Sequence, residues 1–193
     1  MSDLVVFEKI QYLAENDVEL FDFAQGNSFP YFFQGATKNY AQFAHVLMLR
    51  DERNLPVSGR INSEFYKIFE SFFLRMCEQN NIEVHTILRA AINCTSHADE
   101  QYGDIHVDHT TFNHYNFLFY MNEIDGGNTY IFNDKKEIIK EIQHAKHKLA
   151  VFSGHPHAQG FCKPNQHRFI LIFTFLGFFK GEETNERESK ENN

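Results

Sequence analysis

The stretch LAVFSGHPHAQGFCKPNQHRFILIFTF, residues 149–175, decides how this chain is read. With Lys148 before it, it gives two β-like runs, 148–153 and 168–175, around a turn-rich segment that carries His155, His157 and His167. In an extended run, residues i and i+2 share a face. Arg168, Ile170, Ile172 and Thr174 therefore line one face of the second run, and Phe169, Leu171, Phe173 and Phe175 line the other. A guanidinium on a face otherwise made of isoleucine and threonine is costly unless it pairs with an anion. The anion it grips best is a carboxylate, through two parallel hydrogen bonds.

Upstream, further strand-like runs cover 84–93, 105–109, 114–122 and 128–133. HADEQYGD, NEIDGG and NDKKE separate them as turn signals. Asp125-Gly126-Gly127 between two β-like runs reads as a hairpin turn. Earlier still the pattern is helical. In 60–79, Ile61, Phe65, Ile68, Phe69, Phe72, Phe73 and Met76 recur at spacings of three and four, one face of an amphipathic helix. Residues 5–14 read as a shorter helix and 38–49 as a third. FPYFFQ, 29–34, reads as either a strand or an aromatic loop. Helices followed by six short strands predict an α+β fold, a curled β-sandwich or barrel with helices packed outside. No internal repeat or linker divides the chain. We expect one domain over 1–181, with 1–82 mostly helical support and 83–181 the β core. The tail 182–193, without an apolar residue, is expected to be disordered.

Composition narrows the function classes. The 193 residues suffice for a sizeable core without staples, and 22 of them are Phe, with no Trp. Lys+Arg 18 against Asp+Glu 26 gives a net charge of −8. That excess of acid argues against nucleic acid and a membrane surface, which call for a basic footprint. The locally basic 135–148 still holds two Glu and reads as a solvated face or a contact for an anionic partner. Cys77, Cys94 and Cys162 are sparse, odd in number and without CxxC, so they read as reduced thiols of a cytoplasmic protein. Three cysteines cannot supply a four-thiolate zinc site. The N-terminus lacks a basic region followed by an apolar core, and no stretch reaches the ~20 apolar residues of a membrane span.

The other chemistry-bearing stretch is DIHVDH, 104–109. In a strand, His106 and Asp108 project together with Val107 turned away. Imidazole and carboxylate side by side make two-thirds of a facial site for Fe(II), provided Asp108 is ionised and His106 neutral. Alone, H-x-D arises by chance in a chain with 11 His and reads equally well as a solvent-facing pair. A third ligand must come from another strand, and His155, His157 and His167 are the candidates. With Arg168 close behind, the set describes a metal plus a dicarboxylate.

In these elements the sequence resembles the iron(II)/2-oxoglutarate-dependent oxygenases, nearest the prolyl-4-hydroxylase-like group. That pattern runs H-x-D, a strand ending Tyr-Leu-Asn, Gly-Gly-x-Thr, Leu-x-Val-Phe-x-Gly, then a His and, roughly ten residues on, an Arg or Lys. Here the corresponding residues are His106-Val107-Asp108, Tyr120-Met121-Asn122, Gly126-Gly127-Asn128-Thr129, Leu149-Ala150-Val151-Phe152-Ser153-Gly154, His157 and Arg168. The match covers roughly residues 84–177 in order. It implies a double-stranded β-helix core (jelly-roll or cupin-like), with the N-terminal helices packed outside the major sheet. It also implies Fe(II) held by His106, Asp108 and His157, 2-oxoglutarate as cosubstrate held by Arg168, and O2 as oxidant. The activity implied is hydroxylation of an amino-acid, peptide or small-molecule C–H bond with release of succinate and CO2.

Three histidines precede Arg168 where the pattern has one. The spacing to Arg168 favours His157 over His155 and His167. Asn93, Tyr102, Asn116 and Tyr120 are further candidates for the cosubstrate pocket, and Thr174 could add a hydroxyl beside Arg168. Arg89 shares a strand face with Asn93 and reads as a surface ion pair or a second anion contact. His109 faces away from the ligand pair, and Cys162 has no base to activate it. Two rival readings remain. A cupin-like metal enzyme of another reaction type would favour H-x-H and would not need Arg168. A non-catalytic barrel would need neither the ligand set nor the Arg. Substrate and oligomeric state are not readable from the sequence.

Overall fold

The computed structural model describes residues 3–37 and 40–180. In chain order these form β1 (Val6–Ile10), α1 (Glu15–Gln25), β2 (Phe32–Thr37), β3 (Tyr40–Leu49), β4 (Arg60–Ile61), α2 (Tyr66–Gln79) and β5 (Ile82–Ser96). Then follow β6 (Tyr115–Tyr120), β7 (Thr129–Phe132), β8 (Ile138–Ile142), β9 (Lys148–Ser153), β10 (His157–Gln159) and β11 (His167–Phe179). The expected disordered tail lies outside the described residues.

The strands make two antiparallel sheets. The larger, of eight strands, runs β1-β9-β6-β11-β5-β3-β2, with β4 beside β3, and the smaller runs β10-β7-β8. The long β11 is the spine, paired with β5 on one side and β6 on the other. Its alternation sets the two faces of the large sheet. Leu171, Phe173 and Phe175 join the aromatic core beneath the helices, with Phe21 of α1 and Phe69, Phe72 and Phe73 of α2. Phe73 stacks on Phe173 with ring centroids 4.2 Å apart. Ile170 on the opposite face joins Leu118, Tyr120, Ile131, Ile142, Ala150 and Phe152, a second core between the sheets. The helices therefore cover the outside of the large sheet, and the inside faces the small one.

Helix α2 buries Tyr66, Phe69, Phe72, Phe73, Met76 and Cys77 at the spacings expected of one face. Two residues assigned to that face differ: Ile61 lies in β4, and Ile68 is 52% exposed. Helix α1 buries Leu20, Phe21 and Ala24, and its Asp17 pairs with Arg75 of α2, tying the helices together. Acidic Glu15 and Asp17 stand in its first turn, where the helix dipole favours negative charge.

Several expected elements are corrected. Residues 5–14 are not a helix; Val6–Ile10 pairs along β9 as an edge strand, a use suited to its Val6-Phe7 start. The stretch 38–49 is not a helix either, and its described part is β3. A register shift between Val46 and Met48 interrupts its alternation, and the extra residue of that bulge mimics helical spacing. FPYFFQ contributes to strand β2. The basic stretch 135–148 contains β8, an edge strand that buries Ile142 and turns Ile138 and Ile139 outward. No helix among the described residues is long and apolar enough to cross a membrane.

Candidate metal centre and its cavity

The expected strand at 105–109 does not form. His106 makes a single antiparallel bridge to His157: its amide donates to the His157 carbonyl at 3.0 Å, and its carbonyl accepts from the His157 amide at 2.9 Å. After that bridge the chain leaves the ladder, and Arg50 holds Asp108 by donating to its carbonyl at 2.7 Å and approaching Oδ1 at 3.4 Å. H-x-D thus faces one way because a bridge fixes its first residue and a distant arginine fixes its third.

The outcome is a cluster. His106, Asp108 and His157 each offer a ligand atom, and these atoms lie within 4.8 Å of one another. The His157 Nε2 is 3.5 Å from Asp108 Oδ2, and the two imidazole centroids are 4.5 Å apart. Both rings are oriented from behind. His106 Nδ1 lies 3.1 Å from the Asp104 carbonyl, and His157 Nδ1 lies 2.9 Å from the His155 carbonyl. A carbonyl only accepts, so each Nδ1 carries the proton and each Nε2 keeps its lone pair for a metal.

The charges agree with that use. Burial alone would raise the Asp108 carboxyl, but His157, Arg89, His106 and Arg50 together outweigh it and bring it down to about 2. Burial pushes His157 down to about 4, against the opposing pull of Asp108. An ionised carboxylate and a neutral imidazole are the states that bind a divalent cation.

The other histidines separate from the cluster. His155 is buried, with Nδ1 3.1 Å from Ser153 Oγ, and His167 is exposed beside Ser96 Oγ. Neither belongs to the three-residue group. His109 is buried, and its Nδ1 lies 2.7 Å from Asn54 Oδ1. Burial raises the Cys162 thiol, which keeps it protonated and unreactive.

The cluster opens into a cavity of about 280 Å³ between the sheets, whose wall includes Asn93, Asn116, Thr129, Ile172 and Arg168. Arg168 is 3% exposed. Its Nε donates to the Gly127 carbonyl at 2.8 Å, and Nη2 donates to Thr129 Oγ1 at 3.0 Å. Gly127 has φ +70, a left-handed conformation that favours glycine, so the carbonyl that seats Arg168 is carried by a residue suited to it. Among the described residues no carboxylate pairs with Arg168. A buried guanidinium whose only partners are neutral oxygens, in the same cavity as a three-ligand cluster, fits a chelating dicarboxylate beside a metal.

The remaining candidates fall in three places. Asn93 and Asn116 line the cavity, and Asn93 Oδ1 and both polar atoms of the Asn116 amide are buried without a partner. Tyr120 lies behind the wall, donating to Thr129 Oγ1 at 2.8 Å with its ring 5.7 Å from the Arg168 guanidinium. Thr174 is fully buried with an unpartnered Oγ1. Tyr102 packs its ring against Tyr130 and Phe132, away from the cavity wall. Two residues escaped the sequence reading. Thr129, the last residue of Gly-Gly-x-Thr, accepts from both Arg168 and Tyr120, and the motif itself was the available signal. Arg50 stands 58 positions from Asp108 and carried no signal.

No family model matches this sequence, and no curated protein matches it. Solved structures do. An oxidoreductase of the 2OG-Fe(II) oxygenase family from Burkholderia pseudomallei superposes with a TM-score of 0.66 at 13% identity, covering 88% of this chain and 84% of that one. A Pseudomonas putida prolyl-4-hydroxylase gives 0.54 at 12% identity, over 88% of this chain and 91% of that one. A Trichoplax adhaerens prolyl hydroxylase, in complex with a hypoxia inducible factor peptide fragment, gives 0.58 at 12%, over 89% and 83%. At such identities the likeness is one of fold: this chain is built on the double-stranded β-helix shared by the iron(II)/2-oxoglutarate oxygenases and prolyl-4-hydroxylases.

Proposed function

We propose that this protein is an Fe(II)- and 2-oxoglutarate-dependent dioxygenase that hydroxylates an amino-acid, peptide or small-molecule C–H bond, releasing succinate and CO2. The observation that carries the reading is Arg168, a buried cation with no carboxylate partner among the described residues, in the cavity of the three-ligand cluster. A cupin-like enzyme of another reaction type has no use for such a group.

In this reading His106, Asp108 and His157 hold the iron, which supplies O2 activation and the oxidising power when bound. The chain's own residues do the positioning. Arg168 takes the far carboxylate of 2-oxoglutarate. The Thr129 hydroxyl accepts from Arg168 and Tyr120, so both its lone pairs are used and its own proton is free to donate at the cavity wall. Asn93 and Asn116 offer further unpartnered amide atoms to ligands in the cavity. Tyr120 acts from behind this wall, through its bond to Thr129. No protein nucleophile is needed, in keeping with the protonated Cys162.

We further propose that residues 1–181 act as one oxygenase domain in the cytoplasm, a setting supported by three free thiols. The peptide held by the Trichoplax enzyme keeps a peptide side chain among the substrate classes. The test is conversion of 2-oxoglutarate to succinate by the Fe(II)-loaded protein, with Arg168→Ala alongside. Succinate formation that collapses in the variant supports the reading. Metal binding with no 2-oxoglutarate turnover or binding in wild type points to the cupin-like alternative.

A further inference from the structure

The cavity holds a second cation that the proposed reaction does not use. Arg89 lines the same wall as the metal cluster. Among the described residues its guanidinium makes no hydrogen bond and no ion pair. Two charges act on it: Asp108 favourably and Arg50 unfavourably. Asp108 is already held by Arg50. The local sum of two arginines and one aspartate leaves a positive excess before any metal arrives.

Arg89 also has polar company of a particular kind. In the large sheet it pairs directly with Thr174 of β11, and Thr174 pairs directly with Asn116 of β6. Directly paired residues stand on one face with Cβ atoms ~5 Å apart. A guanidinium, a hydroxyl and an amide therefore form one row across three adjacent strands. Thr174 Oγ1 and both polar atoms of Asn116 are buried with no partner. Asn116 is 1% exposed and lines the cavity. Next along the wall come Leu118 and Ile172, a directly paired row that is wholly apolar. Unpartnered buried polar atoms are rare in folded proteins and call for an explanation. Three such atoms and an unpaired arginine in one row are explained by an anionic ligand group that also hydrogen-bonds.

This row is distinct from the Arg168 seat. Thr174 and Arg168 are six residues apart on β11, ~20 Å of strand. Asp108 acts on Arg89, whereas Arg168 is not among the charges acting on Asp108. A carboxylate seated on Arg168 is separated from the Thr174 row by that length of strand. Apart from Asp108, the acidic group on the cavity wall is Asp104, exposed at its mouth.

We propose that the Arg89–Thr174–Asn116 row is the substrate's anchoring site and that the substrate presents a carboxylate to it. The proposal rests on the oxygenase reading for the word substrate, and on the row alone for the anion. A cavity of about 280 Å³ lies at the small end of ligand sites, ~300–1,000 Å³, so the acid that enters is small or is the end of a larger molecule.

The test is anaerobic calorimetric titration of isobutyrate, isobutyramide and inorganic phosphate into protein saturated with Fe(II) and 2-oxoglutarate. Wild type, Arg89→Gln and Arg168→Gln are compared. The expected result is saturable isobutyrate binding by wild type, at least ~10-fold tighter than isobutyramide. Arg89→Gln should lose at least ~10-fold for isobutyrate while its 2-oxoglutarate affinity stays within about twofold. Arg168→Gln should show the converse loss. Isobutyrate binding unchanged in Arg89→Gln, or no isobutyrate binding by wild type, overturns the proposal. Phosphate bound in preference to isobutyrate overturns the carboxylate class. If wild type takes up no 2-oxoglutarate, the oxygenase reading fails, and the same titrations with Fe(II) alone still decide whether Arg89 holds an acid.

Discussion

His106 and His157 bond to each other through their backbones, amide to carbonyl in both directions at 3.0 and 2.9 Å, while their imidazoles stand 4.5 Å apart. One bridge thus positions two of the three proposed ligands, although they lie in different parts of the chain. The metal centre depends on main-chain pairing that no side-chain substitution at either position removes. Ligand variants should therefore fold and fail only in metal binding.

That separation gives the first prediction. His157→Ala and Asp108→Ala are expected to weaken Fe(II) binding by at least ~100-fold, whereas His155→Ala and His167→Ala should stay below the ~10–100-fold loss of a group that supports a ligand, because His155 meets His157 through its backbone carbonyl and the His167 ring lies by Ser96. Equilibrium dialysis under anaerobic conditions, with circular dichroism to verify folding, reads both. Loss of binding in His155→Ala with retention in His157→Ala would reassign the third ligand.

The Arg168 seat gives the second. Removing one partner of a buried ion pair costs ~3–5 kcal/mol, which is roughly 10²–10⁴ in affinity. Arg168→Ala should therefore raise the Kd for 2-oxoglutarate by about that factor without changing Fe(II) affinity. Thr129→Val removes only the hydroxyl shared by Arg168 and Tyr120, and a loss nearer ~10-fold is expected. Fluorescence-free methods such as calorimetry suit a chain without Trp. An unchanged Kd in Arg168→Ala would remove this residue from the cosubstrate site.

Acid should destabilise the fold through His144. Burial, aided by Arg168, lowers its imidazole to about 4, below the ordinary 6.5. Between these values the unfolded chain takes up a proton that the folded chain refuses. The contribution of a neutral His144 is thus fully present above pH 6.5 and is lost progressively as pH falls toward 4. The urea midpoint should decline over that window. His144→Gln should lower stability at pH 7, where its bond to the Asn122 carbonyl is weakened or lost, and make the decline shallower. An equally steep decline in the variant would place the acid sensitivity elsewhere.

The aromatic core gives a prediction on stability alone. Phe173 is fully buried and stacked on Phe73 beneath α2. Phe173→Ala should cost ~3–5 kcal/mol in chemical denaturation. A cost below 1 kcal/mol would mean that the helices do not hold the outer face of the large sheet as described.

The sequence revealed most where one face of an element is buried and unbroken. Strands β5, β6, β7, β9 and β11 and helix α2 carry their period on the surface of the text. Strand β3 did not, because its bulge between Val46 and Met48 breaks the alternation. Strand β1 was obscured because its partner β9 lies some 140 residues away, and its spacing alone also suits a helix. Arg168 was readable from its strand face, since a charge among Ile and Thr is conspicuous. Arg50 and the use of Arg89 were not, because their meaning depends on what the fold brings beside them. His106 and Asp108 do face one way, but by a bridge and an arginine rather than by strand alternation.

The central claim is that one cavity joins His106, Asp108 and His157 to Arg168 as an iron and 2-oxoglutarate site. Its most direct test is an anaerobic titration of the protein with Fe(II) and then 2-oxoglutarate, following the visible charge-transfer absorption of the chelate. The account predicts a band in wild type that is lost in His106→Ala and weakened in Arg168→Ala. Folded wild-type protein that binds Fe(II) but gives no band on adding 2-oxoglutarate would contradict it.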